Sequence, residues 1–213
     1  MSSPAVSATV RRALPTAVRV AILLTLVAAL MSLAGCGTTS TRATATPAAP
    51  GPNGGYRVVT ASSVDPRQAL PVPTGPVVLT VSGHLGAGVT NPVRLDMAGL
   101  ETLGLVEYPT MDKQAEGRRA TFRGVLLRRL LAAVGADRST TLHTAAVNDF
   151  SVDIPVSDAT AYPVLLATTV DGSRMPVDRY GPVRVIYPTD DTSLDPTVYD
   201  PRWIWQLTSI VVE

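Results

Sequence analysis

Cys36 carries the only thiol in a sequence of 213 residues, and it closes the stretch Leu33-Ala34-Gly35-Cys36. A lone cysteine behind small residues is a candidate for covalent modification rather than for a metal cluster. The remaining chemistry-bearing residues are sparse. His84 and His143 are the only histidines, and neither has a second histidine at helical spacing, so a histidine metal site is not indicated. His143 falls within an alternating apolar stretch and reads as a structural histidine. Asp190, Asp191, Asp195 and Asp200 offer clustered oxygens beside Thr192 and Ser193. They lack the alternating carboxylates and central glycine of a calcium loop and read as a solvated loop. Arg118, Arg119 and Arg123 could meet an anion, but they sit in a polar run entering a strand, where surface solvation suffices. GxSxG, HExxH and Walker patterns are absent. Gly83, Gly86 and Gly88 are followed by Thr90-Asn91-Pro92 rather than a helix, which argues against a phosphate loop.

The segment ahead of Cys36 gives that thiol its meaning. Arg11, Arg12 and Arg19 stand there with no acidic residue, followed by an apolar run from Val20 to Leu30. That order is a secretory signal with a small-residue cleavage site, and the cysteine placement resembles a bacterial lipobox. The expectation is a signal peptide over residues 1–35 and a thioether-linked diacylglycerol on Cys36. The chain would then be extracytoplasmic and lipid-anchored to the cell membrane. The apolar run is short for a span of about 20 residues, whereas several acyl chains anchor stably. Acylation of Cys36 leaves the folded part without a thiol, which excludes disulfides, thiolate metal ligands and cysteine nucleophiles. Arg11-Arg12 is not followed by the usual twin-arginine consensus, so export of an unfolded chain fits equally.

From Cys36 onward the chain has 15 basic and 17 acidic residues, a formal charge of −2. A near-neutral surface gives no electrostatic ground for nucleic acid as a partner. Residues 36–76 read as a tether rich in Ala, Thr, Pro and Gly with little apolar surface to bury; Tyr56-Arg57-Val58-Val59 is the one piece with ordered character. Residues 77–213 suit a single domain.

The elements follow from spacing. Val77, Leu79 and Val81 alternate as a strand. Asp96 can cap a short helix through about Leu103. Leu105 to Tyr108 reads as a strand ended by Pro109. Leu127, Leu130, Leu131 and Val134 form a helical apolar face, with Arg128 and Arg129 as its solvated edge and Gly135 beyond its end. Thr141 to Val147 and Phe150 to Ile154 read as strands flanking a turn at Asn148-Asp149. Val164 to Val170 leads into the hairpin signal Asp171-Gly172. Strands over Val183 to Tyr187 and Trp203 to Val212 finish the chain. The expected fold class is α+β: a compact mixed, β-rich domain with a few short helices.

Taken in order, these segments resemble the molybdopterin-binding oxidoreductase domain of the sulfite oxidase superfamily. The resemblance rests on Val81-Ser82-Gly83, Phe122-Arg123-Gly124-Val125-Leu126-Leu127, Ala146-Val147-Asn148-Asp149-Phe150-Ser151, Leu165-Leu166-Ala167 with Asp171-Gly172-Ser173-Arg174-Met175-Pro176-Val177, Tyr180-Gly181-Pro182-Val183-Arg184 and Trp203-Ile204-Trp205. It implies the same fold and makes molybdopterin a candidate cofactor. In that family the dithiolene of the pterin binds molybdenum, and a protein cysteine adds a thiolate from the end of a strand shortly before the Phe122-Arg123-Gly124 segment. Here that stretch is Val106-Glu107-Tyr108-Pro109-Thr110-Met111-Asp112, with no cysteine. Hydroxyl and carboxylate groups replace a soft thiolate poorly.

The functional expectation is a membrane-anchored, non-catalytic module with no catalytic residue, metal or cofactor of its own. Its partner would be a small anionic ligand or an envelope protein. Two alternatives remain open: an active molybdopterin-dependent oxidoreductase with a non-cysteine ligand set, and an unrelated structural envelope lipoprotein. If the resemblance holds, Thr110, His143, Asn148, Asp149, Arg174 and Tyr187 are expected to converge on one vestigial pocket, with Arg174 and His143 facing an anionic group.

Overall fold

Period-two alternation builds most of this molecule. The computed structural model describes residues 55–64, 69–112, 117–189 and 194–213, all within the unit Thr46–Glu213. Cys36 and the expected signal peptide lie outside the described residues, as do Asp190 and Asp191. One sheet runs in the order β1 (Arg57–Thr60), β4 (Leu105–Asp112), β5 (Arg118–Leu126), β8 (Leu165–Val170), β10 (Arg184–Ile186), with β9 (Ser173–Arg174) also paired to β8. The second runs β3 (Val93–Asp96), β2 (Val77–Gly83), β11 (Leu207–Val212), β6 (Thr141–Ala146), β7 (Ser151–Pro155), and its β2–β11 pair is parallel. Four short α-helices, α1 (Met97–Glu101), α2 (Leu127–Ala133), α3 (Val156–Ala161) and α4 (Pro196–Tyr199), and a 3-10 turn over Asp200–Arg202 are the helical elements among the described residues. The fold is the expected β-rich α+β domain.

One apolar cluster draws on both sheets, with Leu79, Leu142 and Ile210 from one and Val106, Phe122 and Leu166 from the other. Leu127, Leu130 and Leu131 of α2 are buried in it, as is Val134 at the helix end. Burying each such leucine contributes about 1.5–3 kcal/mol. The helix stops where its sequence says it should. Gly135 takes a φ of 67°, Ala136 N–H donates to Leu131 O at 2.8 Å and Gly135 N–H to Ala132 O at 3.2 Å. These two bonds satisfy carbonyls that the helix leaves open. A side chain at Gly135 would also bring its Cβ within 2.6 Å of Gly86 Cα.

Asp96 does two jobs. One carboxylate oxygen accepts from Gly99 N–H at 2.7 Å and caps α1, while the other accepts from Thr74 and Gly75 N–H at 2.8 and 2.9 Å. The cap thereby fastens the preceding segment to the domain. These three backbone donors hold the carboxyl below its ordinary range, the bond from Gly99 foremost.

The ordered piece expected at residues 56–59 is present: β1 pairs with β4 through Arg57 and Glu107, and Tyr56 is buried. Several other expectations need correction. Pro109 does not end β4, which continues to Asp112. The β1 pairing stops at Glu107, and a strand with an unpaired flank tolerates a residue that lacks an N–H. Arg128 and Arg129 are not merely solvated, for Arg128 donates to the Tyr56 hydroxyl at 2.6 Å and Arg129 to Leu103 O at 3.3 Å. The last strand begins at Leu207 rather than Trp203, after Gln206 at a φ of 48°.

Candidate functional site

The strict alternation of β4 sends Val106, Tyr108, Thr110 and Asp112 to the buried face. Two apolar residues are thus followed by two polar ones pointing inward, and the segment from Arg184 to Thr189 lies across them. Tyr108 donates its hydroxyl to Ile186 O at 3.0 Å. The Thr110 and Thr189 hydroxyls are 3.0 Å apart, and Thr189 N–H donates to Thr110 Oγ1 at 3.1 Å.

Asp112 meets Arg184. The guanidinium donates from both terminal nitrogens to both carboxylate oxygens, at 2.8 and 2.9 Å. The side chains are 4% and 1% exposed, so this is a fully desolvated, fork-on-fork ion pair. Three rings surround the cation: Tyr180 at 5.0 Å, Trp203 at 5.4 Å and Phe122 at 5.6 Å from the guanidinium carbon. Trp203 packs edge-on to Phe122. Such contacts favour a desolvated cation electrostatically.

A second polar knot lies just beyond. Tyr187 donates to Asp158 at 2.8 Å and Arg202 donates to the same oxygen at 2.6 Å. Burial first, then the neighbouring carboxylate, pushes the Tyr187 phenol far above its ordinary pKa. It stays protonated and acts as a donor. Tyr199 packs edge-on to Tyr162 and tilted against Tyr187, with Arg202 over its ring at 5.1 Å.

The six expected pocket residues fall into separate networks. Thr110 does meet the segment that carries Tyr187, through Thr189. Arg174 does not join them. It makes a bidentate pair with Glu101, which also accepts from Thr168 at 2.7 Å. Burial acts to raise the Glu101 carboxyl, but the bonds from Arg174 and Thr168 hold it below its ordinary range. His143 lies on the second sheet with its side chain 39% exposed, since Leu142 and Thr144 take the core side of β6. It contacts Asp153 at 2.7 Å and Glu213 at 3.0 Å, and these bonds, Glu213 foremost, raise its pKa. Asn148 and Asp149 form the β6–β7 turn, where Asn148 Oδ1 accepts from Phe150 N–H at 3.3 Å and Asp149 has a φ of 63°. Both cations of the expected anion site thus already face carboxylates. Arg118 and Arg123 are likewise paired, with Asp171 and Glu107.

A separate cavity of about 680 Å³ is lined by Leu70, Pro71, Val89, Asn91, Pro92 and Arg94 among others, and none of the six expected residues borders it. Among the described residues there is no cysteine and no group of three His, Cys, Asp or Glu side chains placed to hold a metal. Sequence reasoning missed Arg184, Asp158 and Glu101 as site-building residues. The available signal was a charge inside an apolar run, as in Val183-Arg184-Val185-Ile186.

No curated protein matches the chain. Among solved structures, the sulfane dehydrogenase SoxCD from Paracoccus pantotrophus is similar with a TM-score of 0.48 and 13% identity. The similarity covers 63% of this chain but only 37% of that one, so the chain spans little more than a third of its length. The family pattern described as oxidoreductase molybdopterin binding domain matches residues 77–190, more than half of the chain, from β2 past β10. This overturns the alternative of an unrelated structural envelope protein, and the chain belongs to the oxidoreductase molybdopterin binding domain family.

Proposed function

We propose that this protein is a lipid-anchored, extracytoplasmic member of its family that works as a binding or accessory module and not as an oxygen-transfer enzyme. One observation carries the reading. The strand end from which the family resemblance draws its metal-binding thiolate ends here in Thr110 and Asp112, and both are committed, to Thr189 and to Arg184. The residues present do not fit a thiolate-held metal. The described domain lacks a thiol, and a hydroxyl and a carboxylate are poor donors for a metal that favours soft ligands. No reaction step is derived through the group.

The anchor rests on Cys36 behind its apolar signal. A protein partner is favoured over a small anion, because His143 and Arg174 are already neutralised. Large apolar side chains also gather at one surface. Val147 (61% exposed) and Val177 (67%) are tied to Gln206 by hydrogen bonds at 3.1 and 2.5 Å. Phe150 belongs to the same turn as Val147, and Trp205 packs on Tyr180 with ring centres 5.0 Å apart. Exposed aromatics beside aliphatic residues are the usual make-up of a protein-binding patch.

Family membership alone favours the second reading, an oxidoreductase with a non-cysteine ligand set. Cys36→Ala tests the anchor. The variant should leave the membrane fraction and lose the acyl mass from its mature N-terminus; retention with unchanged mass would contradict the anchor. Oxygen-transfer turnover by protein purified from its own host would contradict the non-catalytic role.

A further inference from the structure

Asp112 and Arg184 are 72 residues apart in sequence, yet they close one point in the interior between the end of β4 and the start of β10. Burying two opposite charges is costly, and their attraction repays the cost only where geometry is good and both groups are fully engaged. Here the pair is bidentate, almost wholly desolvated, and wrapped by Phe122, Tyr180 and Trp203. A carboxylate held on both oxygens by a guanidinium is aimed at that partner and has its charge largely offset, which makes it a weaker ligand for a metal. A guanidinium so held cannot turn towards an incoming anion.

We propose that the Asp112–Arg184 pair is a built-in plug: it fills the interior at the end of β4 where a metal-holding relative would present its ligand, and it lets this domain reach its final structure without a cofactor. The inference rests on the non-catalytic reading above and adds what occupies the site in place of chemistry. The plug ties the first sheet across its inner face, from the end of β4 to the buried strand β10.

The experiment compares the full chain made in a host unable to synthesise molybdopterin with the chain made in a replete host. It follows thermal unfolding and resistance to proteolysis for the wild type, Asp112→Asn, and the double variant Asp112→Leu/Arg184→Met. The proposal predicts identical wild-type melting from both hosts. It predicts a melting temperature lower by many degrees, or loss of folding, in Asp112→Asn, where the buried guanidinium loses the carboxylate it grips through both terminal nitrogens. The double variant should recover most of that loss, because apolar residues of similar volume can replace a buried pair. Wild type that folds or resists proteolysis only in the replete host overturns the plug. If Asp112→Asn melts like wild type from both hosts, the plug falls while the non-catalytic reading stands. Molybdenum bound to the wild type from the replete host removes both. Should Asp112→Asn fail to fold, the wild-type comparison between hosts and the recovery in the double variant still decide.

Discussion

Tyr187 and Asp158 meet through a 2.8 Å hydrogen bond inside the domain, joining the segment after β10 to helix α3. Arg202 donates to the same carboxylate oxygen at 2.6 Å. The two donors differ in kind. The phenol supplies a neutral donor to an ionised acceptor, and the guanidinium supplies the counter-charge that makes a buried carboxylate tolerable.

That difference sets a graded expectation. Tyr187→Phe removes one donor and leaves the ion pair, so it should cost about 1.5–3 kcal/mol, the range for a hydrogen bond to a charged group. Asp158→Ala strands a largely buried Arg202 and should cost roughly 3–5 kcal/mol. Urea denaturation of both variants checks the order; a larger loss for Tyr187→Phe would show that the phenol, not the ion pair, holds α3.

Leu130 tests the core. Its side chain is fully buried on the inner face of α2, so Leu130→Ala should destabilise by roughly 2–5 kcal/mol. A change within about 0.5 kcal/mol, the range of ordinary surface substitutions, would mean that α2 does not pack where it is described.

His143 should give the protein a pH-dependent stability of definite sign. Glu213 first and Asp153 second raise its folded pKa above the ordinary imidazole value, so the folded chain binds this proton more tightly than the unfolded one. The contribution is in full below about pH 6.5, provided the two carboxylates remain ionised, and is lost as pH rises through the higher folded value. Both carboxylates are more than half exposed, so the effect is modest and screened by salt. Melting curves of wild type and His143→Gln at low salt should converge as pH rises from about 6 towards 9. A gap that widens over that range would contradict the assignment.

The elements legible in the sequence were those whose signal is local. The spacing of Leu127, Leu130, Leu131 and Val134 before Gly135 specified α2 and its end, and Asp171-Gly172 gave the β8–β9 hairpin, with φ of 48° and 80° at its two residues. Asp96 announced the start of α1. What escaped depended on partners far along the chain. β4 runs through Pro109 because β1 pairs with its edge only as far as Glu107. Helix α3 has no side-chain cap to announce it. The polar pairs were harder still. Thr110 and Tyr187 were placed near one another by the family resemblance alone, but whether Arg174 is free to bind an anion depends on Glu101, 73 residues away, reaching it first. Alternation predicts which way a side chain points, not which charge awaits it.

The central claim is that this member of a molybdopterin-binding family carries no metal chemistry. Its most direct test is the molybdenum and pterin content of the protein expressed in its own host with molybdate supplied and purified from the membrane fraction. The account predicts neither molybdenum nor pterin above the background of a chain prepared without molybdate. Molybdenum and pterin in equal amounts, each stoichiometric with the chain, would contradict it.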